Sequence, residues 1–292
     1  MRPVTLADRS TFDRYFTEFP PEPCECTFAD IFVRAELRHF LWCECEGHLV
    51  VAFRGREGCL EFLPPAGPDP EHIMQEHFSG FERYHWARIP KPLTEKLPGV
   101  PWELDRNNSD YLYSLADLRA LDGKKYDGKR NFIRRMEKEN PEFRPITAAM
   151  ATDCIRIQEL WLETQLDNPT AKDESSSLMK AVQHWDHLAL TGIGVFVGGE
   201  MVSFAIGEHL NPTTYVEHFE KALPGHTGLY PYTTHAFVQS VPAQYQLLNR
   251  EQDLGIEGLR KSKESWNPVG MTEKYTWKVH GDVCHLPGEM TV

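Results

Sequence analysis

The sequence predicts an α/β protein of two domains with mixed central sheets, and three observations carry that expectation. A chain of 292 residues exceeds the length at which one hydrophobic core usually stops growing. With 41% hydrophobic and 25% charged residues it has apolar mass for two cores and little room for long disorder. Strand-like alternation and helical periodicity also follow one another twice in the same order.

In the first half, residues 7–19 read as a helix broken by the prolines of PPEPCE. The stretch HFLWCECEGHLVVAFRGREGCLEFLPP, with its β-rich alternation, predicts a three-strand antiparallel meander turning at Glu46-Gly47 and near Gly58. Asp69-Pro70 opens a helix to about Arg83, with Ile73, Met74, His77 and Phe78 spaced for one face. Strands around the polar Arg106-Asn107-Asn108 turn occupy residues 102–113.

The second half begins with a strand at 143–146 and helices at 151–165 and 177–189. In GIGVFVGGEMVSFAIGEHL, Gly198-Gly199 supplies a two-residue hairpin turn that needs positive φ. A third strand at 213–221, a helix at 228–241, a strand at 246–249 and a helix at 256–266 follow. The last strand, 274–279, places Tyr275, Trp277 and Val279 on one face. The order strand, two helices, meander, helix, strand, helix, strand is that of a GNAT acyltransferase fold, and two such units in tandem account for the length. The expected division is 1–122, a basic connecting helix within 123–140, and 141–292 carrying the active site. Residues 119–138 hold eight Lys or Arg against three Asp or Glu, with Phe132, Ile133 and Met136 as a short apolar stripe.

Two stretches, DYLYSLADLRALDGKKYDGKRNFIRR from Asp110 and NREQDLGIEGLRKSKESWNPVGMTEKYTW from Asn249, resemble signatures of the bacterial family related to the C-terminal domain of phosphatidylglycerol lysyltransferases. The intervening IGEHL and EHFEKA fit the same pattern, so the resemblance covers residues 28–277. It implies paired GNAT-like domains, chemistry mainly in the second, and transfer of an acyl or aminoacyl group to an amine or hydroxyl. No tightly bound cofactor is implied; the donor would be an acyl-CoA or an aminoacyl-tRNA. Where acetyl-CoA users carry a glycine-rich pyrophosphate loop, this chain reads KALPGHTGLYPYT, in which Gly225 and Gly228 can bend the backbone around an anion.

Such transfer needs a base, oxyanion donors and an acid for the leaving group. Glu220 ends the third meander strand and is the candidate base; Glu208, near the end of the strand before it, is its candidate carboxylate neighbour, and two adjacent carboxylates raise one pKa. Both read equally as strand-end charges paired with Lys221 and Lys263. Tyr230 and Tyr232 flank Pro231 at a helix start, where a phenol can protonate a leaving group. Arg260 and Lys263, one turn apart beside Asn249 and Arg250, resemble the basic pair with which the lysyltransferase domain holds its donor. The pairs Glu257 with Lys261 and Arg260 with Glu264 account for the same charges without a ligand. The cluster Lys124, Lys125, Lys129, Arg130 reads as structural or steering in preference to a grip on donor phosphates or an acidic acceptor.

Other classes are disfavoured. The net charge of −12 repels nucleic acid and anionic membranes at long range, so no DNA partner is expected and tRNA finds no support in charge. Charged residues interrupt the N-terminus where a signal peptide needs an apolar run, and no run approaches the ~20 residues that cross a bilayer. Seven cysteines, an odd number on a long chain, point to reduced thiols and a cytoplasmic location. Cys24-Glu25-Cys26 and Cys43-Glu44-Cys45 have one intervening residue where structural zinc sites usually have two to four, and the histidines at 184, 187, 209, 218 and 226 match no metal motif. No metal is expected. The alternative to an enzyme is a catalytically silent GNAT-derived module that binds a metabolite or peptide.

Overall fold

The structure, a computed structural model, describes residues 1–55, 58–75, 83–165 and 170–279. They form two compact units, one of Met1–Asp110, Gln252–Arg260 and the described part of Met271–Val292, the other of Tyr111–Glu251 and Lys261–Gly270. Among the described residues no helix is long and apolar enough to cross a membrane.

In the first unit, β1 (Arg2–Pro3) precedes helices α1 (Arg9–Glu18) and α2 (Phe28–Val33). The meander follows as β2 (Leu41–Cys45), β3 (His48–Arg54) and β4 (Leu60–Phe62), with Gly47 at φ 77° in the first turn. Helix α3 (Pro70–Gln75) begins where Asp69-Pro70 predicts, and the remainder of that expected helix lies partly outside the described residues. Strand β5 (Tyr84–Pro90) pairs in parallel with β4. The short helix α4 (Lys91–Glu95) and strand β6 (Glu103–Leu104) follow. Trp86, Phe62, Tyr84, Ile89 and Val50 are the centre of the core.

The second unit opens with β7 (Asp110–Ser114), α5 (Leu115–Ala120), which Ser114 caps by accepting from the Asp117 N–H at 3.2 Å, and α6 (Asp127–Glu137). Then come β8 (Glu142–Pro145), α7 (Ala151–Glu163), α8 (Ala171–Gln183) and α9 (Trp185–Leu188). Helix α8 starts six residues before the sequence expectation. Ser175 and Ser177, polar by type, are buried on it, and the Ser177 hydroxyl donates to the Asp173 carbonyl at 2.9 Å. The hairpin of β9 (Thr191–Val197) and β10 (Glu200–Asn211) turns on Gly198 (φ 58°) and Gly199 (φ 87°) as expected. Strand β11 (Thr214–Ala222), helix α10 (Leu229–Ser240), strand β12 (Leu247–Asn249), helix α11 (Glu257–Glu264) and strands β13 (Gly270–Thr272) and β14 (Lys274–Val279) complete the order.

The sheets run β1-β2-β3-β4-β5-β14-β6 and β13-β7-β12-β11-β10-β9-β8. In both, the meander leads to a parallel pair, β4 with β5 and β11 with β12, and an antiparallel strand lies beyond it. That last strand comes from the other half of the chain: β14 completes the first sheet and β7 the second. The units therefore do not follow the linear division at 122 and 141, and the basic helix α6 belongs to the second unit. Long-range pairing decides this, and local periodicity carries no record of it. A register shift between Tyr275 and Trp277 also interrupts the expected alternation of β14.

At the start of β14, Lys274 is fully buried, with Nζ 2.5 Å from Asp110 Oδ1, 2.5 Å from Glu25 Oε2 and 3.6 Å from Cys24 Sγ. Arg88 adds Nε at 3.0 Å from Glu25 and Nη1 at 2.9 Å from Asp105. Cys24, Glu25 and Asp110 lie close enough to hold a metal, yet the cation in their midst is the Lys274 ammonium. Burial works against the Glu25 charge, but Lys274 and Arg88 outweigh it and hold the carboxyl down at about 2. Burial pushes the neighbouring Cys26 thiol up. Among the described residues Cys24, Cys26, Cys43, Cys45 and Cys154 are free thiols, and Cys284 lies outside the described residues.

Candidate functional site

The site is built on one irregularity in the second sheet. Along the β10–β11 pair, Ala205 faces Glu220, Ile206 faces Phe219 and Gly207 faces Glu217, so His218 is an extra residue in β11. A β-bulge of this kind re-aims side chains. Plain alternation would put residues three apart on opposite faces, but here Glu217 and Glu220 oppose Gly207 and Ala205, two residues apart, and share a face. Gly207 is required: a Cβ there would stand 2.0 Å from the Val216 carbonyl oxygen.

Arg250, just past β12, joins the two carboxylates. Its Nε donates to Glu217 Oε2 and its Nη2 to Glu220 Oε2 at 2.7 Å. Its own amide donates to the Tyr111 carbonyl at 3.0 Å, which fixes the strand end. The Thr234 hydroxyl on α10 donates to Glu220 Oε1 at 2.6 Å. Glu217 is 4% exposed, and among the described residues its buried Oε1 has no hydrogen-bond partner. Burial raises its carboxyl to about 7; Arg250 opposes that rise and Glu220 adds to it.

Tyr230, in the first turn of α10, is 42% exposed over the whole residue, yet burial of its hydroxyl end, then the Glu220 carboxylate, push the phenol up to about 12. A phenol so held keeps its proton at neutral pH, the state a general acid requires. Tyr232 turns its hydroxyl to the Pro141 carbonyl at 3.4 Å instead. Lys221 gives its ammonium to Glu174 Oε1 at 2.6 Å and to the backbone carbonyl of Glu220 at 3.1 Å, so Arg250, not Lys221, pairs with the Glu220 carboxylate.

Of the residues expected from sequence, Glu220, Tyr230 and Arg250 come together, and Lys263 joins them through a hydrogen bond from Nζ to the Arg250 carbonyl. Asn249 accepts from the Glu251 amide at 2.8 Å and shapes the turn that carries Arg250. Glu208 goes elsewhere: it binds His218 Nε2 at 2.9 Å, while Glu251 binds Nδ1 at 2.8 Å. The carboxylate beside Glu220 is Glu217. Arg260 is held by Asp253, which takes its Nε at 2.8 Å and its Nη2 at 3.0 Å. Gly225 (φ 103°) and Gly228 (φ 94°) adopt left-handed backbone ahead of α10. A Cβ on Gly228 would stand 2.1 Å from the Phe132 carbonyl oxygen, so that glycine already serves the close packing of α10 on α6.

Sequence reasoning missed Glu217 and Thr234, and placed Lys129 only within a basic cluster read as structural or steering. Lys129, on α6, donates to Ser265 Oγ at 2.7 Å and lies 4.3 Å from the Trp266 ring centroid. Burial lowers its ammonium pKa to about 8, the Arg250 charge adds to the fall, and Glu220 opposes it. A carboxylate to take a proton, a phenol to give one, and an arginine and a lysine to face developing negative charge are the groups acyl transfer uses.

A structure of a conserved protein of unknown function from Bacteroides thetaiotaomicron is similar with a TM-score of 0.87 and 28% identity, covering 95% of this chain and 98% of that one. L-PGS from Bacillus licheniformis is similar in fold, with a TM-score of 0.69 and 15% identity over 94% and 93% of the two chains. An uncharacterized protein of Mycoplasmoides gallisepticum is 21% identical over 183 residues, 60% of this chain and 58% of that relative. The two structural likenesses show that this chain shares its fold with those proteins. Residues 16–278 match the family described as phosphatidylglycerol lysyltransferase, C-terminal, and the chain belongs to that family.

Proposed function

We propose that the second unit transfers an acyl or aminoacyl group from an activated donor, an acyl-CoA or an aminoacyl-tRNA, to an amine or hydroxyl acceptor. The observation that carries this reading is the Glu217–Arg250–Glu220 bridge with Tyr230 beside it, on the bulged strand of a GNAT-type sheet in a chain of the lysyltransferase family. Glu220 takes the acceptor proton, Tyr230 returns one to the leaving group, and Arg250 with Lys129 faces the tetrahedral oxyanion. The 225–228 loop ahead of α10 is the proposed place for donor phosphates.

The test is Glu220→Gln, which keeps the acceptor for Arg250 and removes the base. Turnover should fall by about 10² to 10⁴ while donor affinity and melting temperature hardly change. The donor class comes first, from which of acyl-CoA or aminoacyl-tRNA raises the melting temperature. Normal turnover in the variant ends the assignment of Glu220. A ligand that binds the wild type without any transfer product identifies a silent binding module, a reading favoured by the use of Gly228 in helix packing.

A further inference from the structure

Helices α7 and α8 pack on each other, and α7 lies on β10 and β11. Cys154, Gln158 and Trp161 fall at i, i+4 and i+7 of α7, one stripe facing the sheet. Cys154 and Gln158 are fully buried, and Trp161 is half-exposed. Side chains on a helix lean toward its N-terminus, so the Trp161 ring lies over the turn that carries Gln158. The ring is held there: the Lys221 ammonium sits 4.3 Å from its centroid, and Glu174 on α8 takes that ammonium at 2.6 Å. The Trp161 indole also hydrogen-bonds the Tyr230 phenol, which ties this face of the sheet to the proposed acid.

Beneath Trp161 one polar group is left over. Among the described residues neither Oε1 nor Nε2 of Gln158 has a hydrogen-bond partner. Buried polar groups are nearly always paired, and an unpaired amide lowers stability, so a residue of this kind marks a place where a partner enters.

We propose that Gln158 is the floor of a subsite for a neutral primary carboxamide on a substrate, such as the side chain of a glutaminyl group. The Gln158 carboxamide offers a donor and an acceptor on one edge. A second primary carboxamide presents the reverse pair on one edge and answers both at once, whereas a thioether answers neither. Charge points to the same class. Lys221 and Glu174 already neutralise each other, so an ammonium or a carboxylate seated at Gln158 would be buried without a counter-charge. The proposal rests on the transferase reading only for the substrate that bears the carboxamide; the binding itself needs no turnover.

The experiment titrates the α-methyl esters of L-glutamine, L-glutamate and L-methionine, similar in length and different at the side-chain end, into the whole chain and reads affinity by ligand-observed NMR. Wild type should bind the glutamine ester about 10-fold or more tightly than the other two, because a buried hydrogen-bonding site rejects partners that leave it unpaired. Gln158→Met keeps the length of the side chain and removes the amide. The preference should vanish, and the melting temperature should hold or rise by about 2 to 4 °C because an unpaired buried group is gone. Gln158→Asn, which draws the amide back, should weaken binding of the glutamine ester alone. Equal binding of the three esters by wild type, or a preference that survives in Gln158→Met, overturns the proposal. So does a melting temperature lowered in Gln158→Met, which would make the amide a structural group with a buried water as its partner. Binding of the glutamine ester without any transfer product rejects the transferase reading alone, and transfer without the preference rejects this subsite alone.

Discussion

His218 makes the stability of the second unit depend on pH in a direction the structure fixes. Its side chain is 2% exposed and both ring nitrogens face carboxylates, Glu208 at 2.9 Å and Glu251 at 2.8 Å, so both must carry protons. Burial alone would lower its pKa; the two carboxylates overcome burial and raise it from 6.5 to about 9. A folded-state pKa above the unfolded value stabilises fully below about 6.5, and that stabilisation is lost as pH rises through about 9. At 1.36 kcal/mol per unit, the rise corresponds to about 3 kcal/mol. The assay is urea unfolding of wild type and His218→Gln between pH 6 and 9.5. Wild type should lose about 3 kcal/mol more than the variant across that interval. Glu217 and Lys129 titrate in the same window but are common to both proteins, so the difference isolates His218. Equal losses in the two proteins would refute the bridged imidazolium.

Lys274→Met leaves Asp110 and Glu25 buried without their ammonium, and should lower the stability of the first unit by about 3 to 5 kcal/mol in chemical unfolding. Adding Asp110→Asn should recover part of that loss, whereas simple additivity would deny the coupling. Gly228→Ala meets the Phe132 carbonyl oxygen at 2.1 Å on a backbone with φ 94°, and should cost about 2 to 4 kcal/mol by thermal or urea unfolding.

What the sequence discloses is what neighbouring residues decide. The Gly198-Gly199 hairpin, the Pro70 helix start and the repeated element order depend on turn chemistry and periodicity, and all are present. The placement of β14 beside β5 and of β7 beside β12 depends on pairing between residues more than a hundred positions apart, to which a local pattern is blind. The site divides in the same way. Glu220, Tyr230 and Arg250 were accessible because each stands at an element end next to the expected acceptor region. Glu217 was not: counted by alternation it lies on the wrong face, and only the extra residue at His218 brings it round. Nothing local reveals that His218 claims Glu208, so the sequence alone offers it as the neighbour of Glu220.

The two sheets share one strand order, yet their polar clusters are finished in opposite ways. Around Lys274 the charges close on themselves: Lys274, Arg88, Glu25, Asp110 and Asp105 each have an opposite charge within 3.0 Å. Glu25 is held down at about 2, far from neutrality, so it stays ionised at physiological pH and has little to exchange. Around Arg250 the arrangement stays open. Among the described residues one Glu217 oxygen has no hydrogen-bond partner, the Glu217 carboxyl lies at about 7, and the Lys129 ammonium at about 8. Groups poised near neutrality are the ones that move protons during a reaction, and leaving a buried carboxylate oxygen unsatisfied costs stability that a purely structural cluster has no reason to forgo. The first unit uses its buried charges to hold β14 in place, whereas the second keeps partly unsatisfied ones on the face of β11 that carries Glu217 and Glu220, the face proposed above for transfer.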